Sequence, residues 1–146
     1  MAPATEDIQR TYGASEGPEF QEHGVKASTK IYEGVGVAIE KASGFATPLT
    51  GTAASEDFCG YAELQADNSN GANGDIRVKV RQRGLLKRVS VTGVVAGTDH
   101  GVTVYMSDDN TFTLTAGTNT PVGRYERFVA NGIADVRFFA KSLGTP

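Results

Sequence analysis

The sequence lacks several residue types whose chemistry would direct it to a particular class of protein. It contains no Trp, two Met and one Cys among 146 residues. A single cysteine cannot form a disulfide within the chain, and Cys59 lies in an apolar run, which predicts a buried small hydrophobe and not a reactive thiol. No Cys/His spacing indicates zinc, so disulfide-stapled and zinc-stabilised domains are excluded.

Long apolar runs are also missing. No stretch approaches the ~20 consecutive apolar residues of a membrane span. The N-terminus has neither the basic start nor the apolar segment of a secretion signal. We therefore expect no membrane partner and a chain that stays in the cytoplasm where it is made.

Glycine, threonine and valine are abundant instead. The 18 Gly and 5 Pro suit short strands joined by tight turns. A single domain of this length buries roughly 68–70% of its unfolded surface, which is enough for a core. An all-β domain is the predicted fold class.

The clearest strand covers residues 76–81, where apolar and basic residues alternate. Ile76, Val78 and Val80 point one way, and the other face carries Arg77, Lys79 and Arg81. No aromatic residue lies between residues 77 and 88, so a nucleic-acid partner is not expected. The basic side chains are interpreted as the exposed face of a strand at a sheet edge, where charge opposes aggregation.

Two hairpins can be placed in register from their apolar patterns. A two-residue turn at 131–132 predicts the pairs Ala130–Ile133, Val129–Ala134, Arg127–Val136, Glu126–Arg137 and Tyr125–Phe138. A three-residue loop at 108–110 predicts the pairs Met106–Phe112 and Val104–Leu114. In that loop Asn110 is the residue expected to take a positive φ.

Charge is unevenly distributed along the chain. Residues 1–75 carry 12 acids and 4 bases, a balance of −8, whereas residues 76–146 carry 10 bases and 5 acids, a balance of +5. Each single charge is interpreted as part of a solvated face. Taken together, the charges suggest complementary surfaces that meet between subunits or on a shell.

Residues 1–30 show no sustained hydrophobic period. This predicts an extended N-terminal arm with few core positions, followed by a β-domain at 31–146. The arm is either a passive tail or a segment that orders on a partner, with Tyr12 and Phe20 as its apolar anchors.

Catalytic and metal-binding patterns are scarce. Asp99 and His100 could form an acid/base pair, but the flanking Gly97 and Gly101 favour a turn. Residues 108–110 offer three oxygen-bearing side chains, whereas calcium needs six to eight oxygen ligands. We therefore expect no enzymatic activity, no cofactor and no metal site.

Several segments resemble the head decoration, or cement, proteins of tailed bacteriophages. The resemblance covers about residues 30–139. It rests on Phe58-Cys-Gly-Tyr-Ala-Glu, on the Gly/Asn-rich turn at 68–74, on Ile76-Arg-Val-Lys-Val-Arg, and on Gly101-Val-Thr-Val-Tyr-Met-Ser-Asp-Asp-Asn-Thr-Phe-Thr-Leu-Thr. The longer arm of residues 1–30 departs from the usual short family member.

The resemblance implies a compact β-barrel or β-sandwich, β-tulip-like, preceded by the arm. It implies a homotrimer on the outer surface of the virion capsid that stabilises contacts between subunits of the major capsid protein. The residues expected to touch a partner are Tyr12, Phe20, Arg77, Lys79 and Arg81. The alternatives are a carbohydrate-binding or adhesion β-sandwich displayed on a particle, for which an exposed aromatic platform would be needed, and a small hydrolase.

Overall fold

The structure, a computed structural model, describes residues 2–12 and 19–146. These residues form eleven strands and two single-turn 3₁₀ helices, at Ala53–Ser55 and Lys141–Leu143. The strands are β1 Glu19–Gly24, β2 Thr29–Ile31, β3 Gly36–Glu40, β4 Ala46–Pro48, β5 Glu56–Ala62, β6 Ala66–Asn68, β7 Arg77–Thr92, β8 Thr103–Asp108, β9 Thr111–Thr113, β10 Thr120–Ala130 and β11 Ile133–Phe139. The predicted all-β fold class is confirmed. Within the described ranges, no helix has the length and apolar character needed to cross a membrane.

The 16-residue strand β7 joins two sets of strands. Its second half pairs with β11 and β9, and the order β11-β10-β8-β9-β7 closes on itself as a barrel. Its first half lies between β1 and β5, and β5 leads on to β3 and β4. A bridge between Val25 and Ala46 brings the end of β1 beside β4, so this second ring of strands closes at that single residue pair. Among the described residues, the second edge of β1 itself stays unpaired. Strands β2 and β6 form a separate pair.

The buried apolar side chains form two clusters. The first is rich in aromatic rings and includes Tyr61, Tyr125 and Phe138. Strands β3 and β5 lie between the two clusters. Successive residues of a strand point to opposite faces, so each of these strands contributes side chains to both clusters. Ala38 and Phe58 therefore join the first cluster, whereas the second takes Val37 and Cys59.

Cys59 has the environment that the sequence predicts. Its side chain is buried, and its Sγ lies 3.3 Å from the carbonyl oxygen of Val37. Burial raises the pKa of the thiol. Cys59 is thus an inert packing residue.

The hairpin of β10 and β11 has the predicted turn but a different register. Ala130 pairs with Ile133 as predicted. Two irregularities in β10 then shift the pairing, so the other predicted pairs are wrong; the observed ones are Phe128–Ala134, Arg127–Asp135, Tyr125–Val136 and Arg124–Arg137. Bulges insert unpaired residues into one strand, and a simple count outward from the turn cannot locate them. Glu126 and Arg137 are no longer directly opposite but still form an ion pair, with Arg137 Nη2 at 2.9 Å from Glu126 Oε2.

The hairpin of β8 and β9 follows the prediction only in part. Met106 pairs with Phe112 as predicted. The register then shifts, and Asp108 pairs with Thr111, which leaves two connecting residues instead of three. The expected positive φ at Asn110 is wrong. Instead, the Asp108 carboxylate accepts the Asn110 N–H at 2.9 Å and stabilises a tighter turn.

The described parts of residues 1–30 lie against the rest of the chain. Strand β1 is paired with β7, and Val25, which follows it, is completely buried in the second cluster. Val25 is a core position of this segment, because its bridge with Ala46 in β4 places that side chain inside. The domain boundary at residue 30 stays a prediction.

Gly60 provides the first testable consequence of the fold. Its φ is +135°, and a Cβ at this position would lie 2.3 Å from the carbonyl oxygen of Arg81 in β7. We expect Gly60→Ala to lower the free energy of unfolding by about 3 kcal/mol or more, because it combines a disfavoured backbone angle with a clash between paired strands.

Gly97→Ala is the matched control for urea unfolding. Gly97 has no positive φ, and a Cβ there would have no neighbour within 4 Å. Its substitution should change the stability by no more than about 0.5 kcal/mol. Equal stabilities of the two variants would contradict the close approach of β5 and β7.

Candidate functional site

The residues predicted to contact a partner lie together along β1 and the first half of β7. Antiparallel pairing sets Phe20 opposite Arg81 and Gly24 opposite Arg77. We call the group Tyr12, Phe20, Arg77, Lys79 and Arg81 the cation–aromatic face.

Cations and rings alternate on this face. Lys79 Nζ lies 4.4 Å from the ring centroid of Phe20. The guanidinium carbon of Arg81 lies 4.0 Å from the ring centroid of Tyr12 and 5.2 Å from that of Phe20. Such contacts stabilise a folded chain by about 0.5–1 kcal/mol each when exposed. The rings therefore hold the two cations in place on the surface.

The aromatic partners of the basic strand come from a distant part of the sequence. Residues 77–88 contain no aromatic residue, so the local sequence predicts solvated charges without aromatic partners. Strand β1 brings Phe20 to these cations across about sixty positions of sequence. Pairing between distant strands leaves no local signal.

The basic segment of β7 is not a sheet edge, so that prediction is wrong. Lys79 and Arg81 have β1 on one side. On the other side, Tyr61 of β5 pairs with Arg81, and the Glu63 N–H donates to the carbonyl oxygen of Lys79. The edge lies one strand further out. In the part of the chain that the structure describes, no strand pairs with the second edge of β1.

The two predicted anchors differ in what they leave exposed. Tyr12 bridges to Leu86, and its ring lies 6.0 Å from that of Phe138, so it is half-buried against its own chain. Burial raises the pKa of Tyr12 to about 12, against the opposing effect of Arg81. Phe20 remains 37% exposed. The accessible part of the face is thus Phe20 with Lys79 and Arg77.

Arg10 is a residue that sequence inspection missed. Its Nε donates to the carbonyl oxygen of Gly34 at 2.8 Å, and its Nη2 donates to Asn110 Oδ1 at 3.2 Å. Its guanidinium also lies over the rings of Tyr61 and Phe112, at 5.8 and 5.4 Å. Burial lowers the pKa of Arg10. Its partners are scattered along the chain, so no spacing could have identified it.

Residues 2–12 are held to the domain by several hydrogen bonds besides those of Arg10. The Ala4 N–H donates to Asp109 Oδ1 at 2.8 Å, and the Ile8 N–H donates to the carbonyl oxygen of Glu33 at 2.7 Å. The Lys87 N–H donates to the carbonyl oxygen of Thr11 at 3.0 Å. Residues 11–12 therefore dock beside β7, between β5 and β9, whereas the earlier residues of the segment lie against residues 33–34 and 109–110.

Asp99 and His100 form the turn that the flanking glycines predict. The Val102 N–H donates to the carbonyl oxygen of Asp99 at 3.3 Å, and Gly101 has a φ of +85°. The His100 ring lies 5.6 Å from that of Tyr125. His23 lies on β1, and burial lowers its pKa. Among residues 2–12 and 19–146, no group of three or more His, Cys, Asp or Glu side chains could hold a metal ion.

No model of a known protein family matches the sequence, and a search of curated proteins gives no significant match.

Asp109 gives a prediction for the docking of residues 2–12. Burial raises its pKa to about 6, above the value of about 3.9 for an exposed aspartate. Between these values the folded chain holds a proton that the unfolded chain releases. The contribution of the protonated Asp109 carboxyl group to the free energy of unfolding is therefore fully present below about pH 4. It is lost as the pH rises through about 6. We expect the free energy of unfolding of the wild type to fall by up to about 3 kcal/mol across this window relative to Asp109→Asn.

Urea unfolding at several pH values between about 4 and 7 measures this difference. Asp99→Asn, which removes an exposed turn carboxylate, should keep the wild-type pH profile. Parallel profiles for the wild type and Asp109→Asn would show that Asp109 does not titrate in this way.

Proposed function

We propose that this protein is a capsid decoration, or cement, protein of a tailed bacteriophage. It binds the outer surface of the phage head as a homotrimer and stabilises contacts between subunits of the major capsid protein. The proposal places the protein in the virion after synthesis in the host cytoplasm. It involves no catalysis, cofactor, nucleic acid or membrane.

The resemblance segments support this proposal because they belong to one connected part of the fold. The run from Phe58 lies in β5 except for its last residue, and the run from Ile76 leads into β7, which is paired with β5. The Gly/Asn-rich turn at 68–74 precedes β7, and the run from Gly101 covers β8 and β9. Motifs that are separate in sequence thus occupy adjacent strands.

The observation that carries the proposal is the exposed row of Phe20, Lys79 and Arg77 beside the second edge of β1. An aromatic ring flanked by cations is a common anchor in protein interfaces, where aromatic and arginine residues dominate the binding energy. An edge with available N–H and C=O groups accepts an added strand from a partner. The two features together suit a capsid subunit that presents both an acidic surface and an extended segment.

Multivalent binding would explain how a small domain can stabilise a large shell. Three copies that act together bind the assembled lattice far more tightly than one copy binds an isolated subunit. Binding to the assembled state alone then stabilises that state by mass action.

Co-sedimentation with expanded heads that lack this protein tests the proposed contact face. We expect the double variant Phe20→Ala with Lys79→Ala to bind at least about tenfold more weakly, because interface anchors typically contribute more than 1 kcal/mol each. The matched control, Leu143→Ala with Arg124→Ala, also removes one exposed apolar side chain and one exposed cation, but near the C-terminus. It should bind as the wild type does.

Equal binding of the double variant and the wild type would remove the cation–aromatic face from the proposal. Failure of the wild type to sediment with heads, together with retention on a glycan array, would favour a carbohydrate-binding module instead.

The oligomeric state is a second expected outcome. Protein released from heads should have a native mass of three times the 15.4 kDa chain. Isolated single copies in a reconstruction of the head, far from any symmetry axis, would contradict the trimer.

A further inference from the structure

A polar cleft of about 430 Å³ lies beside the second half of β7, away from Phe20 and Lys79. One wall is formed by residues 9–11 and the other by residues 87–90. Val89 and Phe112 contribute apolar surface, and three cations also line the cleft: Arg10, Lys87 and Arg88. We call this the β7 cleft.

A bulge in β7 forms one wall of the β7 cleft. Leu86 pairs with Val136 and Val89 pairs with Ala134, so two residues of β7 stand opposite Asp135 alone. Arg88 takes a φ of +56° in this bulge. A non-glycine residue in this conformation is disfavoured and persists only where its surroundings hold it, which occurs most often at functional sites.

Asp135 holds the bulge in place. Its side chain is 1% exposed. It accepts hydrogen bonds from the Arg88 N–H at 2.9 Å, Lys87 Nζ at 3.0 Å and Arg127 Nε at 2.8 Å. Burial alone would raise the pKa of Asp135, but these donors together lower it. The carboxylate therefore stays ionised and fixes the backbone from which the Arg88 side chain projects.

The three cations differ in whether they already have a hydrogen-bond or ion-pair partner within the protein. The Arg10 guanidinium is bound to Gly34 and Asn110, and Lys87 is paired with Asp135. The Arg88 side chain is exposed, and its guanidinium has no hydrogen bond or ion pair with any residue in 2–12 or 19–146. The β7 cleft thus presents one exposed guanidinium that is not paired with any described residue, on a backbone fixed by Asp135.

We propose that the β7 cleft binds the carboxylate of a Glu or Asp side chain on an acidic segment of a partner protein. A guanidinium forms a bidentate, charge-assisted pair with a carboxylate. One unpaired cation matches one carboxylate charge better than the −1.5 to −2 charge of a phosphate group. Val89 and Phe112 also offer apolar surface to the aliphatic stem of the side chain. This site is independent of the cation–aromatic face.

NMR titration of the full, ¹⁵N-labelled chain with an acetylated and amidated tetraglutamate peptide tests this inference. We expect saturable shifts at cleft residues such as Ser90 and Asn110. Arg88→Gly should weaken binding roughly tenfold, because it removes a charge-assisted pair. Glycine tolerates the positive φ, so the backbone and the N–H bond to Asp135 are retained. Arg88→Asn, which also tolerates this φ, is a second variant should the first not fold.

Arg124→Ala is the matched control, because it removes an exposed cation of β10 that lies outside both the β7 cleft and the cation–aromatic face. It should change the affinity by less than about twofold, since distant surface charges are screened by salt. Equal losses in Arg124→Ala and Arg88→Gly would show non-specific attraction and overturn the site.

Two further probes distinguish the chemistry of the ligand. A tetraglutamine peptide that binds as tightly as tetraglutamate would overturn the requirement for a carboxylate. Inorganic phosphate is the second probe. If it saturates the shifts of the same residues at a lower concentration than the glutamate peptide does, the choice of a carboxylate over a phosphate is overturned. Absence of shifts at the cleft residues would overturn the site itself.

Discussion

The backbone of β7 is the element on which the rest of the structure depends. Buried N–H and C=O groups need partners on both sides of a strand, and β7 satisfies its own with several separate segments. Strands β1 and β11 follow one another along one side, and β5, residues 11–12 and β9 follow along the other. Both rings of strands close because they share this strand.

This sharing explains why residues 2–12 dock where they do. Strand β5 pairs with β7 at residues 80–81, and β9 pairs with it at residues 91–92, which leaves an interval between them. Tyr12 and Thr11 fill that interval through the bridge to Leu86 and the bond to Lys87. Arg10 then reaches the rings of the first cluster. The segment thus completes the sheet of its own chain and leaves Phe20 and β1 as the outer surface.

The unequal charge of the two halves of the sequence is partly resolved within the folded chain. Acids of the first half pair with bases of the second, as in Glu19 with Arg83 and Glu63 with Arg81. Exposed pairs of this kind contribute little stability. Their more important effect is that they leave other cations of β7 without an acidic partner among the described residues. Of these, Lys79 lies against the Phe20 ring, and Arg88 lies in the bulge of β7. These two cations lie on different parts of β7 and define the two proposed contact surfaces.

The sequence by itself determined the fold class, the alternation of residues 77–81 at the start of β7, the turn at Asp99 and His100, and the burial of Cys59. Each depends on residues close together in the chain, where alternation and turn chemistry act directly. Ile76, predicted on the apolar face of that strand, precedes β7 and is 40% exposed. The sequence also predicts the five members of the cation–aromatic face as residues that contact a partner. It does not predict that Phe20 and Lys79 contact each other.

Only the tertiary structure decided the hairpin registers, the neighbours of β7, the burial of Val25 and the position of Arg10. Bulges shifted both hairpins, and closure of two rings chose partners across tens of residues. Such pairings depend on the mutual fit of distant strands, for which a single sequence carries no local signal.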